Sequence, residues 1–185
     1  MVRDIFFKVY WRQYKLLEHE LIKTDDYVWI DRDNYDTFSN QYMKLLLTIC
    51  SEMESIAEVL CNRKGDKAPF GIKNKLDCLI MEHPNLKKYR VDTKYPYDIK
   101  NITPMEKFSD SISDWWQAYN DIKHRRMDIN DAGRYNYTKA NLKNVLFAMA
   151  ALYILEYILY ESLEDTGRIS RGVLKSDLFD DELKL

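Results

Sequence analysis

Residues 35–60 read YDTFSNQYMKLLLTICSEMESIAEVL, and the fold follows from how their apolar side chains are spaced. Tyr35, Phe38, Tyr42, Leu45, Leu46, Ile49, Met53, Ile56, Ala57 and Leu60 advance in alternating steps of three and four residues, which keeps one face of an α-helix apolar. A stripe of that length must be covered by other helices, so the segment predicts one member of a helical bundle. Asp33 or Asn34 is placed to cap it, because a short polar side chain accepts a hydrogen bond from a free first-turn amide. Asn62-Arg63-Lys64-Gly65 ends it: basic residues suit the negative end of the helix dipole, and Gly is a natural stop.

A partner for that stripe lies near the other end of the chain. Val145 to Tyr160, VLFAMAALYILEYILY, is apolar almost all round, as expected of the most central helix of a bundle, and Thr138 is placed to cap it. The run spans about 24 Å as a helix and contains Glu156, too short and too polar for an ordinary membrane span. Val2 to Ile22 predicts an amphipathic first helix, with Ile5, Phe6, Val9, Tyr10, Leu17 and Leu21 near helical spacing. Ile72 to Glu82 predicts a shorter one ending before Pro84, and Ser111 and Asp114, in capping-box spacing, open another that runs to about His124 or Met127. Between them, from Pro84 to Asp110, the periodicity fails. Pro84, Pro96 and Pro104 interrupt a stretch holding Tyr89, Tyr95 and Tyr97, an excursion with room for a small hairpin that either carries function or covers one end of the bundle. The expectation is an all-α bundle of about five main helices with a long irregular loop before the fourth. Residues 1–166 form a single domain, and 167–185, with Gly167, Gly172 and the acidic ending Asp177 to Leu183, form a looser tail.

Composition agrees. Five Gly and four Pro in 185 residues are too few for a turn-rich sandwich or barrel, while 46% apolar and 31% charged residues mark a globular chain. Tyr occurs 14 times, a ring that packs and a hydroxyl that needs a partner, which suits helix seams near polar groups or the surface. A net charge of -2 and a pI near 6.0 exclude whole-surface attraction to nucleic acid and leave room only for a local basic patch. Cys50, Cys61 and Cys78 are odd in number and widely spaced, so they read as reduced, core-facing thiols of a cytoplasmic protein. Met1 to Tyr10 mixes charges with aromatics and has no export-signal core. No metal or cofactor is expected: His19 has no second His at i+4, and there is no Gly-rich phosphate loop or spaced Cys/His set. Asp25, Asp26, Asp31 and Asp33 form an acidic loop suited to capping and solvation rather than to an EF-hand site. Arg63, Lys64, Lys67, Lys73 and Lys75 form a second basic region, either a solvated turn or a phosphate contact.

The chemistry-bearing stretch is Trp115-Trp116-Gln117-Ala118-Tyr119-Asn120-Asp121-Ile122-Lys123-His124-Arg125-Arg126. At helical spacing Ile112, Trp115, Tyr119 and Ile122 share an apolar arc, while Asn120 and His124 sit about 40° apart at its margin. An imidazole transfers protons near neutral pH, an amide can orient it, and Lys123, Arg125 and Arg126 can stabilise phosphate charge. Trp115 and Trp116 are either core anchors or a surface on which a base stacks. Candidate catalytic residues are therefore His124 and Asn120, and candidate substrate-binding residues are Lys123, Arg125, Arg126, Tyr119 and Trp116. The same basic residues close to a helix C-terminus are also what the dipole alone favours.

Asn120-x-x-x-His124, followed by an apolar last helix, resembles the HEPN superfamily (higher eukaryotes and prokaryotes nucleotide-binding), helical domains found in toxin and antiviral ribonucleases. Its motif is an Arg, commonly followed by a polar residue such as Asn, with a His four to six positions after the Arg. Tyr119 stands here where the Arg is expected. The resemblance implies a homodimer in which motif residues of two subunits form a composite, metal-independent site that cleaves RNA by attack of its own 2'-hydroxyl. The departure at Tyr119 implies a second reading, a non-catalytic RNA-binding or protein-interaction module, for instance a neutralising subunit of a defence or toxin system that uses the Tyr-rich loop or the acidic tail.

Overall fold

The computed structural model describes residues 1–62, 71–107, 113–130, 132–163, 173–180 and 183. Helices dominate it. The first is a rod made of α1 (Arg3–Phe6), one π-helical turn (Phe7–Trp11) and α2 (Arg12–Ile22), with helical backbone at each junction. Then come α3 (Asn40–Asn62), α4 (Ile72–Glu82), α5 (Asp114–Arg125) and α6 (Leu142–Glu161). Counting the rod once, these are the five main helices of an all-α bundle, and the long irregular segment precedes the fourth of them.

α6 is the axis. Being apolar on every side, it can bury its whole circumference, and it packs chiefly on α3, with α5 and α2 also against it. Leu142, Val145, Leu146, Met149, Leu152, Ile154, Leu155 and Leu159 are all fully buried, each side chain worth about 1.5–3 kcal/mol of transfer free energy. The helix is 20 residues long, more than the apolar run alone suggests, and by length and composition it could cross a membrane; 83% of its apolar window is instead buried within the bundle. On the rod, Phe6, Tyr14, Leu17 and Leu21 face the core, whereas Ile5 and Val9, placed on the apolar face by spacing alone, lie outside it, exposed.

Two helix starts differ from expectation, and hydrogen bonding explains both. α3 begins at Asn40, not near Tyr35: the Ser39 Oγ accepts the Tyr42 amide at 3.1 Å and acts as the cap. Asp33 and Asn34 belong to a short 3-10 turn capped by Asp31, whose carboxylate accepts the Asp33 amide. Tyr35 and Asp36 continue the turn, and the segment up to Ser39 stays outside α3 because the start of α6 claims carbonyls there. The amides of Leu142 and Lys143 donate to Thr37 O and Tyr35 O at 3.0 and 3.2 Å, and Phe38 forms an antiparallel bridge with Asn141. α6 is capped by the Asn141 side chain, which accepts the Asn144 amide at 3.0 Å, rather than by Thr138, whose hydroxyl donates to Tyr135 O within a 3-10 turn. α5 begins after Ser113; Ser111 of the expected capping box lies outside the described residues, as do Arg63, Lys64, Gly65, Lys67, Gly167, Gly172, Asp181 and Glu182.

The segment after α4 is ordered cover with a hairpin-like core. Val91 and Ile102 exchange both backbone hydrogen bonds, at 3.0 and 2.9 Å, and Leu86, Val91, Ile99, Ile102 and Met105 are buried. Residues 173–180, expected to be part of a looser tail, are packed into the bundle. Leu178 and Phe179 are fully buried, Phe179 bridges to Thr93 and stacks on Tyr153, and the Lys94 amide donates to Leu178 O at 2.8 Å. Buried Glu18 on α2 fastens this segment: its carboxylate accepts hydrogen bonds from the Tyr14 and Ser176 hydroxyls, from Lys15, and from the Asp177 and Leu178 amides. The three cysteines are free, Cys50 and Cys61 buried, and burial pushes the Cys61 thiol up to about 12.

Candidate nucleic-acid interface

α5 owes its position to its apolar arc. Trp115, Trp116, Ala118, Tyr119 and Ile122 are all buried, Trp115 and Trp116 meet edge to face at 5.7 Å, and the Trp115 indole N–H donates to Pro104 O at 2.9 Å. Ile122 is the last residue of the helix held in the bundle. Lys123, His124, Arg125, Arg126 and Met127 follow it, all exposed. Consecutive helical residues turn through about 100° each, so a run like this is exposed only where the helix end projects from the packed body.

Asp121 organises the base of that projection. Burial would raise its carboxyl, but hydrogen bonds from Lys139, Gln117 and Arg125, at 2.6, 2.9 and 2.7 Å, outweigh burial and hold it below the usual carboxylate range. Arg125 is therefore held by Asp121 at its root while remaining exposed. Lys123 donates to the Tyr119 hydroxyl at 2.8 Å, which holds its ammonium above the ordinary range. Asn120 is half-buried and His124 exposed, on adjacent turns of one helix; among the described residues His124 has no hydrogen-bond partner.

The chain then folds back on the helix end. A narrow hairpin places Ile129 opposite Tyr135, with Gly133 at φ 72° in its turn, a backbone conformation that Gly adopts without strain. It is stitched to α5 by Asn136, whose side chain donates to Arg125 O at 2.9 Å, and by the Tyr137 amide, which donates to Arg126 O at 3.1 Å. As a result aromatic rings stand beside the cations. Tyr135, 42% exposed, stacks on Tyr137 with centroids 5.7 Å apart and planes at 15°, and Tyr137 meets the exposed ring of Phe38 at 5.8 Å. Arg134 in the hairpin is exposed as well.

Sequence spacing located His124, Lys123, Arg125 and Arg126 on one surface, and the structure keeps them there. It separates the other two candidates from that surface: Trp116 and Tyr119 are only 1% and 2% exposed, so neither ring can stack on a base without leaving the core. Instead of lying in the expected cleft, His124 is exposed and Asn120 half-buried, and the hollows lined by Tyr27, by Trp115 and by Trp29 include neither of them. Phe38, Arg134, Tyr135 and Tyr137 were missed. Only the Tyr135-x-Tyr137 spacing hinted at them, because alternate residues of an extended segment point the same way. Of the second basic region, Lys73 and Lys75 are engaged in ion pairs with Asp77 and Glu58. No family model, curated protein or solved structure matches the chain.

Proposed function

We propose that this chain binds single-stranded RNA on the surface formed by the end of α5 and the following hairpin. One observation carries the reading: exposed Tyr135 stacks on half-buried Tyr137, whose backbone amide donates to Arg126 O, next to a run of exposed cations. Aromatic faces stack unpaired bases and cations track the phosphates between them, the combination by which single strands are held without a closed pocket. The net charge of -2 makes the binding local rather than global. The bundle with a His at the end of α5, ahead of an apolar last helix, supports a HEPN-like relationship, with binding favoured over cleavage. Tyr119, in the motif's Arg position, is buried, and the Arg125 guanidinium is paired with Asp121, so neither of these two positions supplies a free guanidinium beside His124.

The test is fluorescence anisotropy with labelled single-stranded RNA over a range of salt. Tyr135→Ala is expected to weaken binding by about 1–3 kcal/mol, the worth of one stacked base, while Tyr95→Ala, a more exposed Tyr elsewhere, leaves it unchanged. Arg125→Ala and Arg126→Ala should each reduce the slope of log K against log salt by about 0.7. Wild-type affinity in Tyr135→Ala, or an unchanged salt slope, overturns the proposal. Cleavage is the second reading, favoured by the exposure of the His124 ring. Turnover of the RNA in excess chelator that disappears in His124→Ala supports it, and equal turnover in that variant removes His124 from any mechanism.

A further inference from the structure

On the loop that joins the rod to α3, the chain exposes a tryptophan. Trp29 is 75% exposed, whereas Trp11, Trp115 and Trp116 are buried. The loop holds the backbone that carries it: Trp29 O accepts hydrogen bonds from the Asp31 amide at 2.8 Å and from the Asn34 side chain at 3.0 Å. Beside it lies a hollow of about 290 Å³ lined by Asp25, Trp29, Ile30, Asp31, Pro96 and Tyr97. Ile30 is buried and forms its floor. The two loops that make the walls are tied together by Arg32, which donates to Lys100 O at 2.8 Å.

The two carboxylates are fixed and unneutralised. Asp25 accepts the Ile30 amide at 2.7 Å and Asp31 the Asp33 amide at 2.8 Å, each through Oδ1, and among the described residues neither makes an ion pair. Burial, and then the charge of Asp25, push the Tyr97 hydroxyl up, so carboxylate and ring share one environment. Negative charge framed by the faces of Trp and Tyr is the arrangement that attracts an organic cation, through the ring quadrupoles and through Coulomb attraction together. Ring surface continues past the hollow: Tyr95, next in the chain to the lining Pro96, is 94% exposed, and with the 75% exposed Trp29 it offers more ring than a free small cation would cover.

We propose that this hollow receives the guanidinium or ammonium group of an Arg or Lys side chain on a partner polypeptide, whose flanking residues lie on Tyr95. The site is separate from the RNA surface and opposite to it in charge, and it does not depend on the RNA reading. The probe is the indole N–H resonance of Trp29, assigned by its loss in Trp29→Phe, during titration of the full chain with short glycine-flanked peptides. Arg and Lys peptides are expected to shift that resonance, and the citrulline peptide, the neutral isostere of Arg, is expected not to. Asp25→Asn with Asp31→Asn retains the acceptors that hold both turns but removes their charge, and should weaken the response roughly tenfold. An equal response to citrulline, or an unaltered response in the double Asn variant, overturns recognition of a cation. Methylguanidinium binding as tightly as the Arg peptide overturns the polypeptide partner, and no shift with any peptide overturns the site.

Discussion

Glu156 is a carboxyl in the middle of an otherwise apolar helix, 2% exposed, and its Oε2 finds no hydrogen-bond partner among the described residues. Burial first, and the Glu52 carboxylate on α3 second, push its acid group well above the usual carboxylate range; Tyr10 on the π-helical turn is the third titratable group of this cluster. The folded chain therefore keeps Glu156 protonated, while the unfolded chain ionises it near the ordinary value of 4.5. Its contribution to stability is complete below that unfolded value and is lost as pH rises through the folded one. Urea unfolding at about pH 5 and about pH 8 should show wild type losing more stability between them than Glu156→Gln. Glu156→Leu should gain about 1–3 kcal/mol at neutral pH, the cost of burying an unpaired polar group. The single acidic residue inside the apolar run was legible in the sequence; the lack of a partner for its oxygen was not, since that depends on what α3 and the rod place opposite it.

Helices, as elements, were read well in type and less well at their ends. Apolar periodicity is a property of the helix itself, so α3, α4, α5 and α6 could be located from spacing. Caps are a choice among several suitable side chains nearby, and the choice is settled by which backbone groups neighbouring segments leave free. Asn141 wins over Thr138 because the turn from Asn136 to Lys139 already occupies the Thr138 hydroxyl. Asn141→Ala is therefore expected to cost about 1 kcal/mol, and Thr138→Ala distinctly less; equal losses in thermal or urea unfolding would show that Asn141 is not the working cap. The rod shows a different kind of miss. Ile5 and Val9 were assigned to the apolar face together with Phe6 and Tyr10, but two adjacent stripes compete on that helix, and the aromatic one takes the core.

At the scale of the whole molecule, residues 173–180 are part of its interior. Phe179 sits on Tyr153 of α6, the Trp11, Tyr14 and Tyr153 rings pack in sequence beside it, and Glu18 grips the backbone at Asp177 and Leu178. Phe179→Ala should cost about 3–5 kcal/mol in urea unfolding, as for any large buried ring, whereas a loosely attached tail would tolerate it. The same scale divides the surface by charge. The small net charge conceals a basic projection at the end of α5 and an acidic, aromatic hollow on the loops around Trp29, each suited to a ligand of the other sign.

What the sequence determined by itself was the class of fold and the central helix, because both rest on apolar spacing within single helices. The tertiary structure alone decided that Trp116 and Tyr119 are core, that residues 173–180 pack into the bundle, and that Phe38, Tyr135 and Tyr137 meet where the Tyr137 amide is bonded to Arg126. The physical reason is common to all three: burial and stacking are relations between segments far apart in the chain, and no local pattern of residues records which distant surface will cover them.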